Sequence, residues 1–353
     1  MIEQNPEVPN SKRRTLGELI QTYRTDPVST FHKLRFHVRK NQETLLKRLA
    51  ASHGHFELNA IRAREIRLWH MDWLGGGKTA MAHSFMSQLR TLCRFGLTML
   101  EDPECERLCV VLNKLRFAAP LPRTDYLTAD QVVAVRSTAH YWFGWDTIAL
   151  ANAFQYEVIL RQKDVIGEWV PLDEPGESNV THQGEKWLRG ITWQEIDENL
   201  ILRHITSKRQ KPIEFDLKLA PMVMEELKLE FPESVRADPD TGEEVIDRQE
   251  LPARGPVILN NITGLPFRAA EFRRKWRLVA TKAGVPKTVR NMDSRAGGIT
   301  EATEAGIPIE HIKHAATHAD INQTQKYARG ATGKVASTII GRVAHRRRTS
   351  GGS

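Results

Sequence analysis

The sequence predicts a mainly α fold with a small antiparallel sheet (α+β), in which an all-helical domain precedes a mixed one. Three observations carry this expectation. The first third repeats apolar residues at helical spacing and holds no β-type run. Between about 169 and 220 the texture changes to short runs of β-branched and aromatic residues, after which helical spacing resumes. The charge divides along the same line. The 353 residues carry 51 Lys and Arg against 43 Asp and Glu, and the whole excess of +8 falls in residues 1–123, which hold 20 basic and 12 acidic residues.

Residues 1–14 are polar, contain two prolines and end in the run Lys12, Arg13, Arg14. They predict a disordered N-terminus, and without an apolar h-region no secretory signal is expected. From Thr15 the spacing is helical: Leu16 with Ile20, then Phe31, Leu34 and Val38, then Leu45, Leu46 and Leu49, with Gly54 as a stop. Helices around 59–73 and 80–100 follow, the second with Phe85, Leu89 and Leu92 on one stripe. Residues 15–116 thus predict a domain of four or five helices. The stretch FAAPLPRTD, 117–125, reads as a linker.

Thr128 with Gln131 forms a capping box that opens the second domain, 126–345. Residues 147–166 predict a helix. The sheet is expected from Ile191–Trp193, Leu200–Leu202 and Ile213–Phe215. Helices are expected around 219–229, 267–284, 294–305 and 308–316, the last two separated by Gly306 and Pro308. The acidic, turn-rich stretch 233–250 predicts an exposed loop. Val335, Ile339, Ile340 and Val343 give a terminal helix an apolar face, and 346–353 predict a disordered tail.

Several function classes are excluded by these residues. No apolar run approaches the ~18 residues of a membrane span. Cys93, Cys105 and Cys109 cannot build a disulfide framework, so a reduced, cytoplasmic setting is expected. Gly75–Thr79 superficially suggests a phosphate-binding loop, but Asp72 stands where the first glycine is required and the context is helical. Asp238, Asp240 and Gly242 lack the twelfth-position Glu of a calcium loop. No nearby ligand completes a zinc site at Cys105 and Cys109. His311, His314 and His318 have the spacing of a helical metal triad but no strong carboxylate partner beyond Glu310. No metal and no cofactor are expected. The basic first third points to a polyanion, nucleic acid before an anionic membrane.

The chemistry-bearing residues fall in one order: Arg161 with Asp164 three residues on, Lys208 in a predicted hairpin, Arg295 at the start of a helix, His318, and Tyr327 nine residues later. In this order and spacing the chain, over about 125–330, resembles the phage-integrase family of tyrosine recombinases, and its helical first third resembles that family's core-binding domain. The resemblance implies an enzyme that cuts and rejoins double-stranded DNA at specific sites through a covalent 3′-phosphotyrosine. Arg161 and Arg295 would grip the scissile phosphate, with His318 adding a hydrogen bond. Tyr327 would be the nucleophile and Lys208 the general acid. Lys33, Arg35, Arg39, Lys40, Lys47 and Arg48 are the expected phosphate contacts of the first domain. A homo-oligomer on DNA, tetrameric in the synapse, and a phage or mobile-element origin are implied too. Three positions depart from the family pattern: Met292 stands where the first His of the H-x-x-R box belongs, Ala296 follows Arg295, and Thr317 replaces the usual Gly before His318. The alternatives are a catalytically weak or inactive DNA-binding protein on the same scaffold and, in a different class, a metal-dependent hydrolase built on His311, His314 and His318.

Overall fold

The computed structural model describes residues 14–318 together with Asp320 and Thr324. The chain divides into two compact units with the boundary between Pro122 and Arg123. The first unit is wholly helical among its described residues. Its helices are α1 (Leu16–Thr25), α2 (Phe36–His53), α3 (Ala63–Leu74), α4 (Thr79–Leu100) and α5 (Pro103–Lys114). Thr15 and Glu18 cap α1 reciprocally, which satisfies two amides the first turn leaves open. Leu16, Leu19, Leu46, Leu49, Ile66, Leu89, Leu92 and Leu108 form the centre of its core. Gly75–Gly77 connect α3 to α4, with Gly76 and Gly77 in left-handed turns, so the glycine run is a helix connector. The Cys93 and Cys105 thiols are buried between α4 and α5, and burial pushes Cys105 up to about 12, the behaviour of an inert core thiol.

One expected stripe fails. Phe31 and Leu34 lie in turns before α2, and Val38 is exposed on it. The reason is local. The Asp26 carboxylate accepts from the Val28 amide and the Ser29 hydroxyl from that of Phe31, so side chains take amides that a helix would need. Pro27 adds a residue that disfavours helix before it.

The second unit is built around α7 (Asp146–Tyr156), whose residues from Thr147 to Tyr156 are all buried. A helix apolar on every side belongs at a centre. Around it pack α6 (Ala129–Thr138), which opens on the Thr128–Gln131 capping box, α9 (Pro221–Glu230), α10 (Ala269–Lys282) and α11 (Asp293–Glu304). Asn152 ties three of these helices: its Oδ1 accepts from Trp276 Nε1 on α10 at 3.1 Å and from Ser294 Oγ on α11 at 3.0 Å. The remaining helices are α8 (Gln162–Ile166) and α12 (Ile309–Ala315). A single turn of π-helix, Ala139–Phe143, is pinned by His140 between Asp146 and Glu226.

All described strand pairs are antiparallel, but they form three sheets rather than one. The strands β1 (Glu168–Pro171), β2 (Thr181–His182) and β3 (Glu185–Leu188) run in the order β1-β3-β2. A hairpin joins β4 (Ile201–Ile205) to β5 (Pro212–Asp216). The stretch 233–250, expected as a plain loop, contains a second hairpin, β6 (Val235–Ala237) with β7 (Glu244–Ile246). Ile191–Trp193 is not a strand, because the Thr192–Glu195 capping box turns the chain into a short 3₁₀ helix. The helix expected over 147–166 breaks after Tyr156 and resumes at Gln162, with Ile159 left-handed in the gap.

Gly297 and Gly298 let α11 press onto its neighbours. A Cβ on Gly297 would lie 2.0 Å from the Leu127 carbonyl oxygen, and one on Gly298 2.2 Å from that of Tyr156. Both obstacles are backbone and cannot swing away. Gly298→Ala should therefore lower the unfolding free energy by about 2–3 kcal/mol, the scale of overpacking. Urea denaturation checks this, and a neutral effect would contradict the close approach.

Candidate active site

The turn between α7 and α8, the start of α11, the end of α12 and the β4–β5 hairpin supply the side chains of this site. Arg161 is the N-cap of α8, and its own amide donates to Asp164 Oδ2 at 3.2 Å. Asp164 is fully buried. Its Oδ1 accepts from the Ser207 amide at 2.6 Å and its carbonyl from the Ile191 amide at 2.8 Å. One carboxylate thus ties the segment carrying Arg161 to the hairpin turn carrying Lys208. The Lys208 side chain is exposed at that turn.

Arg295 is buried in the first turn of α11. Its guanidinium donates to the carbonyls of Ile159 and Ala316, and its Nη2 lies 3.3 Å from His318 Nε2. The Arg161 Nη1 donates to the Thr317 hydroxyl at 3.0 Å. Arg161, Arg295 and His318 are thereby gathered within a few contacts of the end of α12.

The state of His318 follows from its partners. A guanidinium only donates, so Nε2 is the accepting nitrogen and Nδ1 carries the proton, which it gives to Thr324 Oγ1 at 2.9 Å. Burial disfavours the charged ring, and the charges of Arg295, Arg161, Lys208 and Arg209 disfavour it further, holding its pKa at about 4. The ring is neutral at neutral pH.

His311 and His314 are exposed on α12, whereas His318 lies beyond the end of that helix and is buried. The histidines do not share a face, and among the described residues no group of three metal-ligating side chains occurs. Tyr327, and the terminal residues from Val335 to Val343 with the tail at 346–353, lie outside the described residues.

The six basic candidates of the first unit sit in and before α2. Lys33, Lys40, Lys47 and Arg48 are exposed, Arg35 is the N-cap, and Arg39 is half-buried with its Nη1 on the Leu34 carbonyl at 3.0 Å. Others have local work as well: Lys47 pairs with Glu43 at 3.4 Å, Arg48 lies over the Phe85 ring and Lys40 over the Phe36 ring. Lys40 and Lys47, seven apart, share one helix face.

No protein-family model and no curated protein sequence matches the chain. Solved structures do match it. A lambda integrase dimer bound to a COC′ core site aligns with TM-score 0.64 and 15% identity over 90% of this chain and 97% of that one. The Tn1549 transposon integrase in complex with transposon right end DNA aligns with TM-score 0.61 and 14% identity over 94% and 99%. A lambda integrase tetramer bound to a Holliday junction gives 0.61 and 15% over 87% and 78%. The chain has the fold of these integrases.

Within that integrase fold, sequence reasoning missed the carboxylates' partners. Arg123, placed in the linker, belongs to the second unit. Its Nη2 lies 2.5 Å from Asp293 Oδ2 and 2.6 Å from the Thr288 carbonyl, and its Nε 3.3 Å from Asp293 Oδ1. Asp293 is the first residue of α11, two before Arg295, and its buried carboxylate also accepts from the Arg290 amide. No local spacing signals a pair separated by 170 positions.

Two outcomes are expected. Arg123→Ala should cost about 2 kcal/mol in unfolding free energy, less than breaking a fully enclosed pair because Arg123 is partly exposed. In an NMR titration the His318 ring should change charge near pH 4 rather than near its ordinary 6.5. Since the unfolded chain takes up that proton first, the stability held by the neutral ring is complete above about pH 6.5 and declines as pH falls toward 4. An ordinary midpoint would contradict the site's geometry.

Proposed function

We propose that the chain is a site-specific DNA recombinase that cleaves and rejoins double-stranded DNA through a covalent 3′-phosphotyrosine. The observation that carries this is the convergence of Arg161, Arg295 and His318 at the end of α12, with Lys208 in the hairpin turn that Asp164 ties to the Arg161 segment. Attack on a phosphodiester builds negative charge on its non-bridging oxygens, and planar guanidiniums match that charge in shape and sign. Tyr327 is the nucleophile, by its nine-residue interval from His318. Lys208 protonates the departing 5′-oxygen. The phosphotyrosine conserves the energy of the broken bond, so strand joining needs neither ATP nor metal.

The first unit binds the duplex backbone through the excess charge of Lys33, Arg35, Arg39, Lys40, Lys47 and Arg48. We assign a tetramer to the paired sites, the assembly that lambda integrase adopts on a Holliday junction. One observation favours the second reading, a weak or inactive DNA-binding protein. Met292 is 56% exposed at the N-cap of α11 and offers no proton acceptor where the recombinase family has a histidine.

A nicked duplex of the chain's own flanking DNA, which traps the covalent adduct, separates the two. Tyr327→Phe should abolish the adduct and leave DNA affinity nearly unchanged. Arg295→Lys should slow cleavage by ~10²-fold or more, because an ammonium cannot replace the planar fork. Met292→His should raise the rate, most clearly below pH 8. Binding without any adduct in the unmodified chain would establish the second reading instead. Affinity should fall linearly on a log–log plot against salt, and a flat response would argue against backbone binding.

A further inference from the structure

The end of α12 is a Schellman motif. The His318 amide donates to the Lys313 carbonyl at 3.0 Å and the Thr317 amide to the His314 carbonyl at 2.9 Å. That pairing requires a left-handed residue between helix and exit, a position where glycine is the usual occupant. Here it is Thr317, with φ of 50°. A β-branched side chain rarely adopts that conformation, because its Cβ crowds the following carbonyl. The same chain places Gly306 at φ of 77° after α11, and the left-handed residue that ends α4, Glu101, is not β-branched. Strain of this kind persists where the surroundings hold it and the side chain contributes something in return.

The contribution is visible in the hydroxyl. Thr317 is 7% exposed, and its Oγ1 accepts from Arg161 Nη1 at 3.0 Å. The Asp164 carboxylate stands 3.8 Å from the same nitrogen, so the hydroxyl is the nearer of these two oxygens. On either side of Thr317, the Ala316 carbonyl receives Arg295 and the His318 ring lies beside that arginine. Three consecutive residues therefore address both guanidiniums. We infer that Thr317 is a positioning residue, whose hydroxyl orients the Arg161 guanidinium toward the phosphate that Arg161 and Arg295 share. The inference rests on the recombinase reading above. A glycine at this place would make the same turn and leave Arg161 to be oriented by other contacts alone.

The test compares Thr317→Val, Thr317→Ser and Thr317→Gly with the unmodified full chain. Single-turnover adduct formation on the nicked flanking duplex, the Kd for that duplex and Tm are measured for each. Valine keeps the volume, the branching and the backbone strain and removes only the acceptor. Thr317→Val should cleave about tenfold more slowly or worse, as a misplaced reacting group does, with Kd and Tm unchanged. Thr317→Ser should stay within about threefold of the unmodified rate, since it keeps the hydroxyl. Thr317→Gly should be as slow as the valine variant despite its easier backbone. A Thr317→Val rate equal to that of the unmodified chain overturns the inference while leaving the recombinase reading intact, and so does a loss in all three variants that tracks Tm. Failure of the unmodified chain to form any adduct overturns both.

Discussion

The burial of one guanidinium organises the second unit. Arg295 must satisfy its donors away from water, and it does so on the carbonyls of Ile159 and Ala316. Each of those carbonyls sits where the backbone leaves an ordinary conformation. Ile159 is itself left-handed, and Ala316 directly precedes left-handed Thr317. The helix that carries Arg295 must also come close enough to reach them, which is what Gly297 and Gly298 permit against the backbone of Leu127 and Tyr156. Two left-handed residues of this unit are thus gathered around a single side chain. Strain concentrated in this way is stable only when a rigid surrounding over-determines it, and the fully buried α7 supplies that surrounding.

The same burial sets the electrostatics. Arg161, Lys208 and Arg209 join burial and Arg295 in driving His318 to its neutral form. On the proposed reading, a phosphate entering there would meet prearranged donors instead of reorienting water. Its charge would offset the arginines and raise the affinity of His318 for a proton, which couples anion binding to proton uptake.

How much of this was legible in the sequence depended on distance along the chain. The Thr128 capping box, the glycine connector between α3 and α4, and the helices near 80–100 and 267–284 are local patterns, and the structure has them. The order of Arg161, Lys208, Arg295 and His318 was legible too, because it is an ordered set of intervals that does not require knowing the packing. The failures were also physical. Phe31, Leu34 and Val38 have helical spacing, but Asp26 and Ser29 divert the amides that would build the helix. Within the stretch 147–166, residues 147–160 are mostly apolar, and that pattern does not mark the break at Ile159 that presents its carbonyl to Arg295. His311, His314 and His318 share a periodicity that the left-handed Thr317 cancels, turning the last of them inward.

Least legible were the acidic residues that hold the cations in place. Asp164 looked like an i, i+3 partner of Arg161, yet the ion pair is long at 3.8 Å, and the carboxylate's shorter bonds go to backbone amides of the α8 cap and of the Lys208 hairpin. Asp293 performs the matching task for α11, receiving Arg123 and the Arg290 amide one turn from Arg295. Asp164 remains within ion-pair distance of Arg161. A carboxylate in direct bidentate contact with Arg161 or Arg295 would compete with a phosphate for the same donors. Placing the acids on backbone amides and on Arg123 ties the scaffold together, while the Thr317 hydroxyl receives Arg161 and the carbonyls of Ile159 and Ala316 receive Arg295. Neutral acceptors orient a guanidinium without cancelling its charge, which is what the role proposed for the two arginines at a phosphate requires.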